Sequence, residues 1–348
     1  MADTIQRGPG ARPARQAGPR GRTPLSTRIA TFLRRLSHWI STFIRRHKLA
    51  PYLLLAPALI GIALVILWPL VQMVMFAFQN YGLPQITGVL PIQWVGFGNF
   101  TATFRDPEFW LSLRTTVLFA AVVVPLTLIT GTIVGLVLNR LGKKMAIFVS
   151  TAALLAWATP PVSASVLFYW LFNPDGGLVD WGLARMPHWL VGSTNWAQYN
   201  WTTTGALQAY TVLTILVLWG SFPFVAVAVL AGLKTIPGEL HEAATVDGAS
   251  PWRIFWRVTF PLLKPIFLVL LLLSVIWDFN IFTQTFTITG GIPGNQNEYN
   301  LSLYIYDKAF GLPPSYGLGG AIALIFVAIV LIVTVGYVRS SVRQGALT

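Results

Sequence analysis

Glu242 to Pro265 reads EAATVDGASPWRIFWRVTFPLLKP, a polar stretch between two segments too apolar for water. Just upstream, Pro237 suits the first turn of a helix, where its missing N–H would be unpaired anyway. Glu239 and Glu242 fall where the helix dipole favours negative charge. Asp247-Gly248 stops that helix. Ser250 caps a second, Pro251 opens it, and Pro261 and Pro265 bracket its exit into the next apolar run. The expectation is a helix-turn-helix, the loop 234–264, lying outside a membrane.

Composition sets the same class independently. Of 348 residues, 55% are hydrophobic and 10% charged, where a soluble domain carries about a quarter charged residues. The mean hydropathy is +0.65. The absence of cysteine excludes disulfides, thiolate metal sites and cysteine nucleophiles. His38, His47, His188 and His241 are scattered without metal-ligand spacing, so neither a metal site nor a catalytic set is expected.

Residues 1–50 form a basic tail with eleven Lys and Arg against the single acid Asp3. Its Gly/Pro/Arg-rich start cannot bury a core, and Ser26 to Lys48 suits an amphipathic helix on an anionic membrane surface. No small-residue cleavage site follows, so it is not read as a signal peptide. Within the domain 51–348, six stretches are long enough to span a bilayer: Tyr52 to Phe78, Thr115 to Leu138, Met145 to Phe172, Leu207 to Leu233, Ile266 to Ile288 and Leu318 to Val338. With both termini cytoplasmic, twenty of the 24 Lys and Arg lie inside; only Arg105, Arg114, Arg185 and Lys308 lie outside. That asymmetry orients the chain and puts the Glu242 loop in the cytoplasm.

Asp278, in WDFNIFTQ, is the one ionisable residue at membrane depth. Facing lipid it would cost about 2.5–3.5 kcal/mol, so it faces protein or a water-filled path. Helix packing is the plain alternative; Asn280 and Gln284, four apart on one helical face, favour contact with a solute. The outer tryptophans Trp181, Trp189, Trp196 and Trp201 read as an interfacial aromatic belt.

Glu242-Ala243-Ala244, Asp247-Gly248-Ala249, Val258 and Phe260-Pro261 resemble the EAA loop of binding-protein-dependent ABC importers. Trp94-Val95-Gly96, Asn99-Phe100 and Asp106 to Trp110 are similar to the family's segment before its second span, and Thr289-Gly290-Gly291-Ile292-Pro293 to the TGGGP signature of carbohydrate permeases. Tyr304 to Phe310 continues the likeness. From Tyr52 onward the chain resembles sugar permease subunits typified by the maltose and trehalose importers.

The resemblance implies an all-α polytopic fold, the type I importer permease, in a bacterial cell membrane. Its implied partners are a second homologous permease, two ATPase subunits, an extracytoplasmic solute-binding protein and a sugar. ATP and magnesium would be bound by the ATPases, and no cofactor by this chain, which lacks GxxxxGK[ST]. Glu242, Ala243, Ala244, Asp247, Gly248 and Ala249 would couple to the ATPase. Trp157, Pro161, Ser221, Phe224, Trp277, Asp278 and Ile281 would line the pathway, joined by Asn280 and Gln284 from the reading above. Asp278 and Ile281 stand where the maltose subunit carries amides, which leaves the identity of the sugar open.

A neutral saccharide suits aromatic rings for its C–H faces and a few polar groups for its hydroxyls. A phosphorylated solute of the glycerol-phosphate kind would call for fixed basic residues, and none occurs at membrane depth. A secondary transporter would need coupled ionisable groups or an internal repeat. An enzyme would need an assembled nucleophile and base. Nucleic acid is not an expected partner: the simplest role for the basic tail is to hold the amino terminus inside.

Overall fold

The computed structural model describes residues 50–343 except 203, 295, 296 and 298; the expected basic tail, with its stretch Ser26 to Lys48, lies outside the described residues. The chain divides into two compact units, Met1–Pro69 and Leu70–Thr348. In the first, helix α1 (Ala50–Ile62) runs into a π-helical turn, Ala63–Leu67, and Leu54, Leu55, Leu64 and Val65 are exposed. Helix α2 (Trp68–Ala77) follows in sequence.

A two-stranded ribbon comes next, β1 (Gln79–Asn80) antiparallel to β2 (Gln93–Trp94). Asn99, in α3 (Gly98–Arg105), braces it by donating its amide to the carbonyls of Ala77 and Gln79, both at 2.9 Å. Asp106 caps α4 (Pro107–Arg140), accepting from the Glu108 amide at 2.9 Å while Pro107 fills the first turn.

The expected third span, Met145 to Phe172, is broken. It is α5 (Lys143–Trp157) and α6 (Pro161–Leu171), bent by 92° across 158–160. Pro160 and Pro161 explain it, because a proline bars the α region to the residue before it and supplies no N–H to continue the ladder. Helix α7 (Ala206–Thr235) is continuous despite Pro223.

Pro237 is the N-cap of α8 (Gly238–Val246) rather than a first-turn residue, and α9 (Pro251–Ile254) starts at a Ser250 cap. Pro261 and Pro265 do not end the second helix, contrary to the sequence expectation. The chain passes from α9 through a π turn, Phe255–Thr259, straight into α10 (Phe260–Phe279). The i to i+5 pairing of that turn, seen where the Phe260 amide bonds the Phe255 carbonyl, shifts acceptors away from the donor that Pro261 lacks. Then come α11 (Phe282–Ile288), α12 (Leu301–Phe310) and α13 (Tyr316–Arg343).

By length and composition, five helices among the described residues can cross a membrane: Leu54–Ala77, Pro107–Arg140, Ala206–Thr235, Pro251–Phe279 and Tyr316–Arg339. The bent α5–α6 pair makes the sixth if counted as one span. At the centre, α4 lies against α7 at Gly131 and Gly135, a GxxxG pair that lets helices approach closely. A Cβ on Gly131 would stand 2.5 Å from Val225, and one on Gly135 would stand 2.8 Å from the Ala226 carbonyl.

A polar knot ties α12 to the start of α4. The Tyr304 hydroxyl donates to Asp106 at 2.5 Å, and Lys308 meets Asp106 at 3.4 Å and Glu108 at 2.8 Å. Burial opposes ionisation of Asp106, but the Tyr304 hydroxyl, the Glu108 amide and the Lys308 ammonium together hold it below the usual carboxylate range. Burial likewise works against the Lys308 charge, and its two carboxylate partners overcome it and raise its pKa.

Candidate functional site

The breaks in two helices build the site. After Phe279 the chain leaves the helix at Asn280 (φ −113°, ψ 60°) and Ile281 before α11 begins, so Asn280 and Gln284 do not share one continuous helical face as expected. Asn residues readily take such turns. Backbone groups released by a break within a membrane need partners. The Phe279 carbonyl accepts from Ser302 Oγ at 3.3 Å, and the Ile281 carbonyl accepts from Thr285 Oγ1 at 2.9 Å. Thr285 in turn accepts from the Asn300 amide at 2.6 Å, anchoring α11 to the start of α12.

Between this break, the Pro160-Pro161 bend and the middle of α7 lies a cavity of about 320 Å³. Trp157, Pro161, Ser221, Trp277, Asp278, Asn280, Ile281 and Gln284, eight of the nine expected pathway residues, line it. Phe224 does not. It is stacked on Trp157 (centroids 5.4 Å) and edge-on to Trp277 (5.5 Å), in contact with both rings that line the cavity. Thr159 and Trp219 also line the cavity, each two residues from a position that the resemblance implies.

Asp278 is 2% exposed, and its Oδ2 has no hydrogen-bond partner among the described residues. A buried acceptor without a donor is costly. The cavity thus offers two half-exposed indole faces over a wall that holds the buried Asp278 carboxyl, an arrangement able to take a ring with an apolar face.

In the loop, the Ala249 amide bonds the Ala244 carbonyl and the Gly248 amide bonds that of Thr245, both at 3.0 Å. With Gly248 at φ +75°, this is a Schellman cap, which explains the spacing from the Ala pair to the glycine. A Cβ on Gly248 would meet nothing within 4 Å, so within this chain only its backbone angle demands glycine. Glu242, Ala243, Asp247 and Gly248 are exposed, and Ala244 and Ala249 half-buried. Val246, not singled out in the sequence, is 87% exposed at the tip. His241 Nε2 lies 3.1 Å from Thr259 Oγ1, fastening α8 to the π turn that opens α10.

The outer tryptophans are not a uniform belt. Trp196 stacks on Trp201, whose indole donates to buried Asp180 at 2.6 Å, while Trp181 and Trp189 are exposed. Burial pushes the Asp180 carboxyl up, against the pull of that indole.

Residues 128–344 match the family described as "Binding-protein-dependent transport system inner membrane component". The chain is 38% identical over 300 residues to the diacetylchitobiose uptake system permease protein DasB of Streptomyces coelicolor, covering 86% of this chain and 89% of that protein. It is 30% identical over 288 residues to the trehalose/maltose transport system permease protein MalF of Thermococcus litoralis, covering 83% and 92%. Its fold is similar to a chain in the crystal structure of a bacterial ABC transporter importing the acidic polysaccharide alginate, with a TM-score of 0.69 at 20% identity, covering 87% and 98%.

Proposed function

Because this chain belongs to the family of binding-protein-dependent transport system inner membrane components, we propose that it is the pathway-forming permease subunit of an ATP-driven carbohydrate importer. The observation that carries this is the cavity at the two helix breaks, where Trp157, Trp277 and Asp278 converge. Sugar C–H faces stack on the indoles, and a hydroxyl or amide N–H reaches the buried Asp278 carboxyl when the wall opens during transport. Diacetylchitobiose, named for DasB, is the first cargo to try.

The subunit pairs with a second permease and two ATPases that bind ATP and magnesium, and receives sugar from a solute-binding protein. It performs no chemistry itself. With the termini and the loop 234–264 cytoplasmic, the exposed face of α8 enters the ATPase. Closure on ATP then pulls α10 through the His241–Thr259 contact and the continuous π turn. The pull reaches the break at 280–281, which borders the cavity.

The test is to purify the complex with its binding protein and identify the bound sugar by mass spectrometry. An oligosaccharide with sugar-stimulated ATPase activity is expected. Uptake into vesicles without ATP would establish secondary transport instead.

A further inference from the structure

We propose that a second cavity, at the loop end of α4 and α10, seats an anionic phospholipid of the cytoplasmic leaflet. Its volume is about 1050 Å³, and its walls are one face of each helix, closed at one end by residues of the loop. Ile129 and Ile133 on α4 and Leu268 on α10 give an apolar trough, and both isoleucines are 56% exposed. The trough follows α4 from Leu128 to Arg140, about 18 Å at 1.5 Å per residue. One leaflet of hydrocarbon is about 15 Å deep, half of a core of about 30 Å.

Polarity is graded along that length. Arg140 and Lys264 stand at the loop end, and among the described residues no acidic side chain lines the cavity. Trp252 and Trp256, packed edge-on at 5.6 Å, lie at the same end and are both exposed. Indoles at that level mark a membrane–water boundary, and the two cations beside them match a phosphate headgroup above acyl chains. A helix from a partner subunit would fill the trough without calling for cations at its mouth. The choice of leaflet rests on the orientation proposed above.

The test places a photo-activatable residue at Ile133, with one at exposed Val122 as reference, in the assembled complex in membranes of phosphatidylglycerol and phosphatidylethanolamine. Adducts are read by mass spectrometry. Phosphatidylglycerol should be enriched about 30-fold at Ile133, equivalent to about 1 kcal/mol for each of two basic residues, and Arg140→Gln should lower this about fivefold. Should Arg140→Gln fail to assemble, Lys264→Gln gives the same readout.

Adducts with bulk lipid composition, no lipid adduct, or cross-linking to another polypeptide would each overturn the proposal. Labelling of a cysteine at Ser250 from outside would refute the orientation separately, while Ile133 still reports whether lipid occupies the trough.

Discussion

Gly248 joins two demands that substitution can separate. Its left-handed backbone costs an L-residue about 1 kcal/mol or more, so Gly248→Ala should weaken the cap mildly in a loop with room for a methyl group. Gly248→Asp adds bulk and charge to the exposed face of α8. The complex should assemble, but its ATPase activity should no longer respond to binding protein and sugar; full stimulation with normal transport would remove the coupling role. At Asp278 the expected loss concerns affinity. A hydrogen bond to a charged group is worth about 1.5–3 kcal/mol, so Asp278→Ala should weaken uptake about 10- to 150-fold while the complex still elutes intact. A complex that falls apart would make Asp278 a packing residue. Both residues stand out in the sequence, Gly248 because Asp-Gly ends a helix and Asp278 because a lone acid in an apolar run needs a reason. The resemblance implies a pathway role for Phe224; its place outside the lining depends on which ring faces which, and one-dimensional spacing does not carry that.

Continuous helices follow from apolar length, and their expected bounds hold to within several residues except where α4 runs upstream to its Asp106 cap, where α9 and the π turn lead into α10, and where α10 stops at Phe279 instead of Ile288. Their interruptions were harder to read. Two prolines broke the third span, yet Pro261 and Pro265 lie inside a continuous helix, where the π turn just upstream shifts the pairing at the position that Pro261 leaves without an N–H. The break at Asn280 has no proline or glycine to announce it. Tertiary partners stabilise it, among them Ser302 and Asn300, some twenty residues further along the chain. Packing of α4 on α7 gives a direct test. Gly131→Ala would put a Cβ 2.5 Å from Val225 and should destabilise the complex by about 1–3 kcal/mol. Thermal unfolding of the purified complex measures this, and an unchanged midpoint would mean that the two helices relax apart at little cost.

Across the whole molecule, the Asp106–Tyr304–Lys308 knot joins segments some two hundred residues apart. Its pH response has two limits. Asp106 is depressed, so its contribution is complete above the ordinary value of 3.8 and is lost as pH falls through its lowered one. Lys308 is raised, so its contribution is complete below 10.5 and is lost as pH rises through its elevated value. Protection factors in Leu301–Phe310, with the intrinsic pH dependence of amide exchange divided out, should stay level between these limits and fall beyond them, and a fall already present at pH 6 would refute this. Topology is tested by cysteines at exposed positions in a chain with none of its own. Thr101 and Asn195 should react with an impermeant thiol reagent in intact cells, and Lys143 and Ser250 should not. The glycine pair at the centre bears on how such a molecule can move. With no Cβ on Gly131 or Gly135, the two longest helices meet so closely that sliding one past the other by a residue would drive a side chain into the space those glycines leave. The pair is keyed to one register, so α4 and α7 can shift only as a single body.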